Sequence, residues 1–156
     1  MLIVMCGVSG SGKTTWANNY IIKQPVAWTC VSTDLIREEL FGDASDQRSP
    51  QKVFNIAYGR LVRRLSLGQN VIFDATNLQR KYRIQLLQYL KKELGDQYDN
   101  TYKMIVVMDT SFKTSVARQE LRKRRVPKGV IRRQATSLQY PTADEGWDRI
   151  VIKKEN

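Results

Sequence analysis

The string Gly7-Val8-Ser9-Gly10-Ser11-Gly12-Lys13-Thr14 constrains this chain more than any other feature. It satisfies G-x-x-x-x-G-K-[ST]. It follows a continuous apolar run, Leu2 to Cys6, and opens a segment of helical character from about Lys13 to Lys23. A strand on one side and a helix on the other are what give such a string meaning. Glycines let the backbone curl so that its N–H groups converge on an anion, and the helix that follows adds its positive end. Gly7, Ser9, Gly10, Ser11, Gly12, Lys13, Thr14 and Thr15 would then surround the phosphates of a nucleoside triphosphate. Lys13 would reach the β- and γ-phosphates, and the Thr14 hydroxyl would ligate Mg²⁺.

The rest of the sequence alternates between the two element types. Strand character returns at Val26–Val31, Val71–Phe73, Tyr102–Met108 and Ile150–Ile152. Helical spacing fills Asp34–Phe41, Gln51–Leu67, Arg80–Leu94, Phe112–Arg125 and Pro127 to about Gln139, with Gly42, Gly68 and Gly95 as stops. Asp43–Pro50 is polar and turn-rich, which predicts a loop. The pattern predicts an α/β P-loop kinase fold: a parallel five-stranded sheet with helices on both faces, in a single domain over residues 1–156. Ligands of such sheets bind at the carboxyl ends of the strands.

Composition narrows the chemistry. There is no histidine among the 156 residues, so catalysis falls to carboxylates, Lys and Arg. Cys6 and Cys30 fall in expected strands, where a reduced thiol behaves as a small hydrophobe. That reading, with no basic leader and no apolar stretch of membrane-spanning length, predicts a cytoplasmic protein with no membrane attachment. Lys and Arg number 26 against 15 Asp and Glu, a formal +11, which favours polyanionic partners. Nine of the cations, against the single acid Glu120, lie between Lys113 and Arg133.

Three acids, Asp34, Asp74 and Asp109, lie just after expected strands and can all face the phosphate crevice. No D-x-x-G or N-K-x-D string occurs, which weighs against a GTPase. Asp34 stands where a helix begins, so either capping or catalysis explains it. Arg37 is one helical turn on and on the same face.

Four segments in order, Gly7–Ala17, Ser32–Arg37 (S-T-D-L-I-R), Phe73–Leu78 (F-D-A-T-N-L) and Ala117–Arg122 followed by Val126-Pro127, resemble the kinase domain of phage-type polynucleotide kinase. The resemblance implies ATP and Mg²⁺ as cofactors and the 5′-hydroxyl end of a nucleic acid as acceptor. It implies that Asp34 is the general base and that Arg37 holds the acceptor's phosphate, itself held by Asp74. Asp74 can alternatively hold Mg²⁺ through water, because V-I-F-D is also a Walker-B-like string. Thr76 and Asn77 are implied to touch the acceptor, although turn and cap duty explains them nearly as well.

Arg118, Arg122 and Arg125 are spaced to share one face of a basic helix within an Arg-rich lid at about residues 112–139. Solvation alone accounts for many such faces. The resemblance assigns Arg118 and Arg122 to the triphosphate, Arg122 with a catalytic share beside Lys13. Arg124, Arg125, Arg132 and Arg133 are left to track a nucleic-acid backbone. Trp16 and Trp28 read as core, whereas Trp147 and Tyr140 can border the adenine. The related family's phosphatase signature, D-x-D-G-T, does not occur, so no 3′-phosphatase is expected. Two other functions fit the same residues: a kinase of a nucleoside, sugar or antibiotic hydroxyl, and an ATP-binding nucleic-acid partner that transfers nothing.

Overall fold

In the computed structural model, which describes residues 1–123 and 125–155, five strands form one sheet. They are β1 (Leu2–Cys6), β2 (Trp28–Ser32), β3 (Asn70–Asp74), β4 (Lys103–Asp109) and β5 (Arg149–Lys154), in the order β2-β3-β1-β4-β5. Every pairing is parallel. All of β1 is buried, which is why its sequence is apolar without alternation.

Alternate residues of the strands feed two cores. On one face Leu2, Val4, Phe73, Ile105 and Val107 pack against helix α3 (Pro50–Ser66) and helix α4 (Arg80–Leu94). The α3 contribution is the stripe Val53, Ala57, Leu61 and Leu65, each one turn after the last. On the other face Ile3, Met5, Ile72 and Val106 meet Ala17, Trp16 and Tyr20 of helix α1 (Lys13–Ile22). Trp16 stacks on Tyr20 at 5.0 Å, and Tyr20 meets Trp28 edge-on at 5.2 Å, so both tryptophans serve packing as expected.

Helix α2 (Thr33–Phe41) leaves the end of β2, and helix α5 (Asp96–Asp99) is a single turn the sequence did not announce. Helices α6 (Phe112–Glu120) and α7 (Lys128–Ser137) follow β4. Two expectations need correction. Because β2 is an edge strand, Trp28 and Cys30 are half-buried rather than enclosed. The basic helix stops at Glu120, not Arg125, so only Arg118 of the three spaced arginines lies on it. On a continued helix Arg118, Arg122 and Arg125 would place like charges at i, i+4 and i+7, and the backbone N–H of Val126 is taken by the Gln119 side chain at 3.1 Å. Arg124, assigned to backbone tracking, lies outside the described residues.

Both cysteines are free thiols. Burial pushes Cys6 up to about 11 and Cys30 up to about 12, so neither is a thiolate near neutral pH. Among the described residues no helix is long and apolar enough to cross a membrane.

Candidate active site

The loop between β1 and α1 is held from three sides. Gly10 has φ +82°, and a Cβ there would lie 2.5 Å from the Ser115 carbonyl, because α6 presses against the loop. Gly12 has φ +96° at the start of α1, a left-handed conformation that favours glycine. The N–H of Gly7 donates to the Thr76 carbonyl at 3.0 Å, tying the loop to the end of β3. The hydroxyl of Thr110 and the guanidinium of Arg118 both donate to the Ser11 carbonyl, at 2.9 and 3.2 Å.

Lys13 is buried, with its Nζ donating to the Val8 carbonyl at 2.9 Å. Burial pushes its pKa down, against the pull of Asp74 and Asp34. An anion in the loop would compensate this charge. The Thr14 hydroxyl donates to Asp74 Oδ2 at 2.6 Å. Asp74 is itself buried, and that burial pushes its carboxyl up, partly offset by Lys13 and by the Thr14 hydrogen bond. A hydroxyl and a buried carboxylate in contact are a hard-oxygen pair that suits Mg²⁺ with water and phosphate oxygens completing the shell.

Asp74 therefore sits on Thr14, and the expectation that it holds Arg37 is corrected. Arg37 pairs with Asp34 instead, at 2.9 Å, within the first turns of α2. The partners differ in exposure: the Arg37 side chain is 12% exposed and that of Asp34 69%. Nor is Asp34 the cap of α2. That role belongs to Ser32, whose Oγ accepts the Leu35 N–H at 3.3 Å. Asp34 is thus an exposed carboxylate at the carboxyl end of β2, steadied by a sheltered guanidinium and close enough to act on Lys13 and Asp74.

The other expected residues divide. Asn77 has φ +46° and donates its amide to the Met5 carbonyl at 2.8 Å, so its side chain fixes the turn and is not free for an acceptor. Thr76 is half-buried beside it. Asp109 accepts the Tyr140 hydroxyl at 2.8 Å. Trp147 is buried, with its indole N–H on Glu145 at 2.8 Å; it belongs to the core and cannot border an adenine. Arg122 lies beyond α6, where its charge reaches both Lys13 and Asp74. Arg132 lies over the Phe112 ring at 5.0 Å.

Two features were missed. The N–H of Ser9 donates to Gln134 Oε1 at 2.8 Å, so α7 reaches into the loop and occupies an amide that a phosphate could use. No sequence signal marks Gln134. Arg83 and Glu145 form a fully buried pair at 2.7 Å, and Arg83 also donates to the carbonyls of Asn77 and Leu78. This pair was legible: Arg83 stands on the same stripe as the buried Leu86, Leu87 and Leu90, and a cation there requires an anion.

No curated protein sequence matches the chain significantly. Among solved structures, it is similar to a chain of the Pnkp1/Rnl/Hen1 RNA repair complex, with 26% identity and a TM-score of 0.71. That match covers 94% of this chain and 46% of the other, so this chain spans less than half of that relative's length. Kti12 from Chaetomium thermophilum, in complex with ADP-AlF3, is 18% identical with a TM-score of 0.74, covering 100% of this chain and 90% of that one. A gluconokinase from Sinorhizobium meliloti is 20% identical with a TM-score of 0.62, covering 97% and 81%. The last two share the fold. A family model described as an AAA domain matches residues 2–141, the stretch that carries the loop Gly7–Thr14, Asp34, Asp74, Arg118 and Arg122. The chain belongs to this AAA domain family, and its fold is that of the P-loop kinases.

Proposed function

We propose that this chain is an ATP-dependent kinase that transfers the γ-phosphate to the 5′-hydroxyl end of a polynucleotide, DNA or RNA. The observation that carries the reading is the Asp34–Arg37 pair beside Lys13: an exposed carboxylate able to take a proton, and a sheltered guanidinium able to hold an anion. An acceptor that brings both a hydroxyl and a neighbouring phosphate uses both groups. A simple sugar uses only the first. The likeness to a chain of an RNA repair complex supports the same acceptor class.

The residues divide the chemistry among them. ATP would lay its phosphates along the backbone N–H groups from Ser9 to Thr15, with Lys13 turning from the Val8 carbonyl to the β- and γ-oxygens. Mg²⁺ held by Thr14, with Asp74 behind it, would neutralise charge on those oxygens. Arg37 would fork onto the acceptor's phosphate and hold the 5′-oxygen in line. Asp34 would take the proton as that oxygen bonds to the γ-phosphorus and the bond to the β–γ bridging oxygen breaks. Arg118 and Arg122 would meet the charge that develops on the transferring group. Thr76 can contact the acceptor next to Asp74.

The test offers ATP labelled at the γ-position to 5′-hydroxyl oligonucleotides and to a panel of nucleosides and sugars. Label on the oligonucleotide 5′ end is the expected result. Label on a small hydroxyl compound alone would move the acceptor to the class of the similar gluconokinase. Label on neither, with ATP bound, would leave a nucleotide-binding partner that transfers nothing.

A further inference from the structure

A second cationic site lies at the opposite end of the sheet from the phosphate loop. Arg60, Arg63, Arg64, Leu67 and Gln69 line a cavity of about 390 Å³ where α3 ends and β3 begins. Arg60 is committed to Glu39 of α2 through two hydrogen bonds, at 3.1 and 2.6 Å. Among the described residues neither Arg63 nor Arg64 forms a salt bridge. Of the three guanidinium groups, only that of Arg60 has a carboxylate in salt-bridge contact among the described residues.

Cations are common at a helix C-terminus, where they complement the dipole. Here the terminal carbonyls of α3 are already met by backbone donors. The N–H of Leu67 serves Arg63 and Arg64 at 3.3 and 3.2 Å, that of Gly68 serves Leu65 at 2.9 Å, and that of Gln69 serves Arg64 at 3.1 Å. The guanidinium groups are therefore not needed as caps, and they border a concave surface instead. Planar, weakly hydrated guanidinium groups in a concavity suit phosphate oxygens.

Position identifies the anion. β3 puts about 13 Å of strand between this cavity and Asp74, so the cavity lies at the end of the sheet opposite the one where the loop would hold ATP. The route from Asp34 runs down α2 to Glu39, across to Arg60 and one turn along α3 to Arg63 and Arg64. We propose that Arg60, Arg63 and Arg64 form a second anion site that binds the phosphodiester backbone of the acceptor strand a few nucleotides from its reacting 5′ end. This inference rests on the polynucleotide reading of the site at Asp34. It adds a length requirement: an acceptor of one or two nucleotides ends before the cavity, and one of about four or more reaches it.

The test compares the wild-type chain with R63A/R64A. Binding of a fluorescent 5′-phosphorylated oligonucleotide of about twelve nucleotides is followed by anisotropy across a salt series, so that no transfer is needed. The double variant is expected to bind about tenfold more weakly, with a salt slope smaller by about one to two, while phosphorylating one- and two-nucleotide acceptors at the wild-type rate. Equal affinity and slope in the two proteins would overturn the site. So would an equal loss on short and long acceptors, or an affinity for inorganic phosphate that depends on Arg63 and Arg64 when oligonucleotide binding does not. The two readings fail separately. Transfer to no oligonucleotide, with the anisotropy difference intact, removes the kinase assignment and keeps the cavity as a backbone site; normal transfer with no difference removes the cavity alone. Both side chains lie outside the core stripe of α3, so an unchanged melting temperature is expected and confirms that the variant folds.

Discussion

The loop from Gly7 to Thr14 and the arginine-rich segment after α6 carry the same kind of charge on opposite kinds of scaffold. Lys13 is fixed by the end of a buried strand and the start of a helix, and its neighbour Thr14 already touches Asp74. Arg122 stands past the end of α6, on exposed backbone, with only its field reaching the site. The first region is assembled before any ligand arrives. The second would have to be brought in to meet the triphosphate as we propose, and Gln134 meanwhile occupies one amide of the loop. On the proposed function this contrast separates holding the triphosphate from accelerating its transfer, and each should be open to perturbation without the other.

Lys13→Ala should do the most damage, because it removes the buried cation that we propose meets the β- and γ-phosphates. A fall in kcat of about 10³-fold or more is expected, with weaker ATP binding in equilibrium titrations. Arg122→Ala should lower kcat by about 10²-fold while ATP affinity changes little. Equal loss of affinity in the two variants would erase the distinction between the regions. A third effect lies in protons. Burial lowers the Lys13 pKa in the empty protein, so between that lowered value and the usual lysine value the amine is partly neutral. Triphosphate binding raises it again, and ATP should therefore take up protons on binding at alkaline pH. Calorimetry in buffers of different ionisation enthalpy measures this, and proton release there would contradict the account. The smallest effect is expected at Gln134. Gln134→Ala frees the Ser9 N–H, so ATP should bind up to about fivefold more tightly, with kcat nearly unchanged.

The same contrast explains what could be read from the sequence. The loop is local: eight consecutive residues between a strand and a helix specify its shape, and the sequence suffices. Asp34 and Arg37 are local as well, one turn apart on α2, and their pairing follows from spacing. Asp74 was placed at the right end of the right strand, but its choice of Thr14 over Arg37 depends on how β1 and β3 sit side by side. The end of the basic helix was misread because Leu, Arg and Lys are good helix formers one at a time, whereas a run of adjacent cations followed by Val-Pro opposes a helix. Trp147 was misjudged for a related reason, since its partner Glu145 is claimed by Arg83, 62 residues away. Gln134 reaches Ser9 across 125 residues, a contact that no periodicity records.

On the proposed function, Asp34 activates a 5′-hydroxyl at a crevice that holds ATP without its help. Single-turnover transfer of γ-label to a 5′-hydroxyl oligonucleotide, measured beside ATP affinity in the wild-type chain and in Asp34→Asn, tests it most directly. A rate lower by about 10² to 10⁴-fold is expected, with ATP affinity preserved. Transfer at the wild-type rate by Asp34→Asn would contradict it.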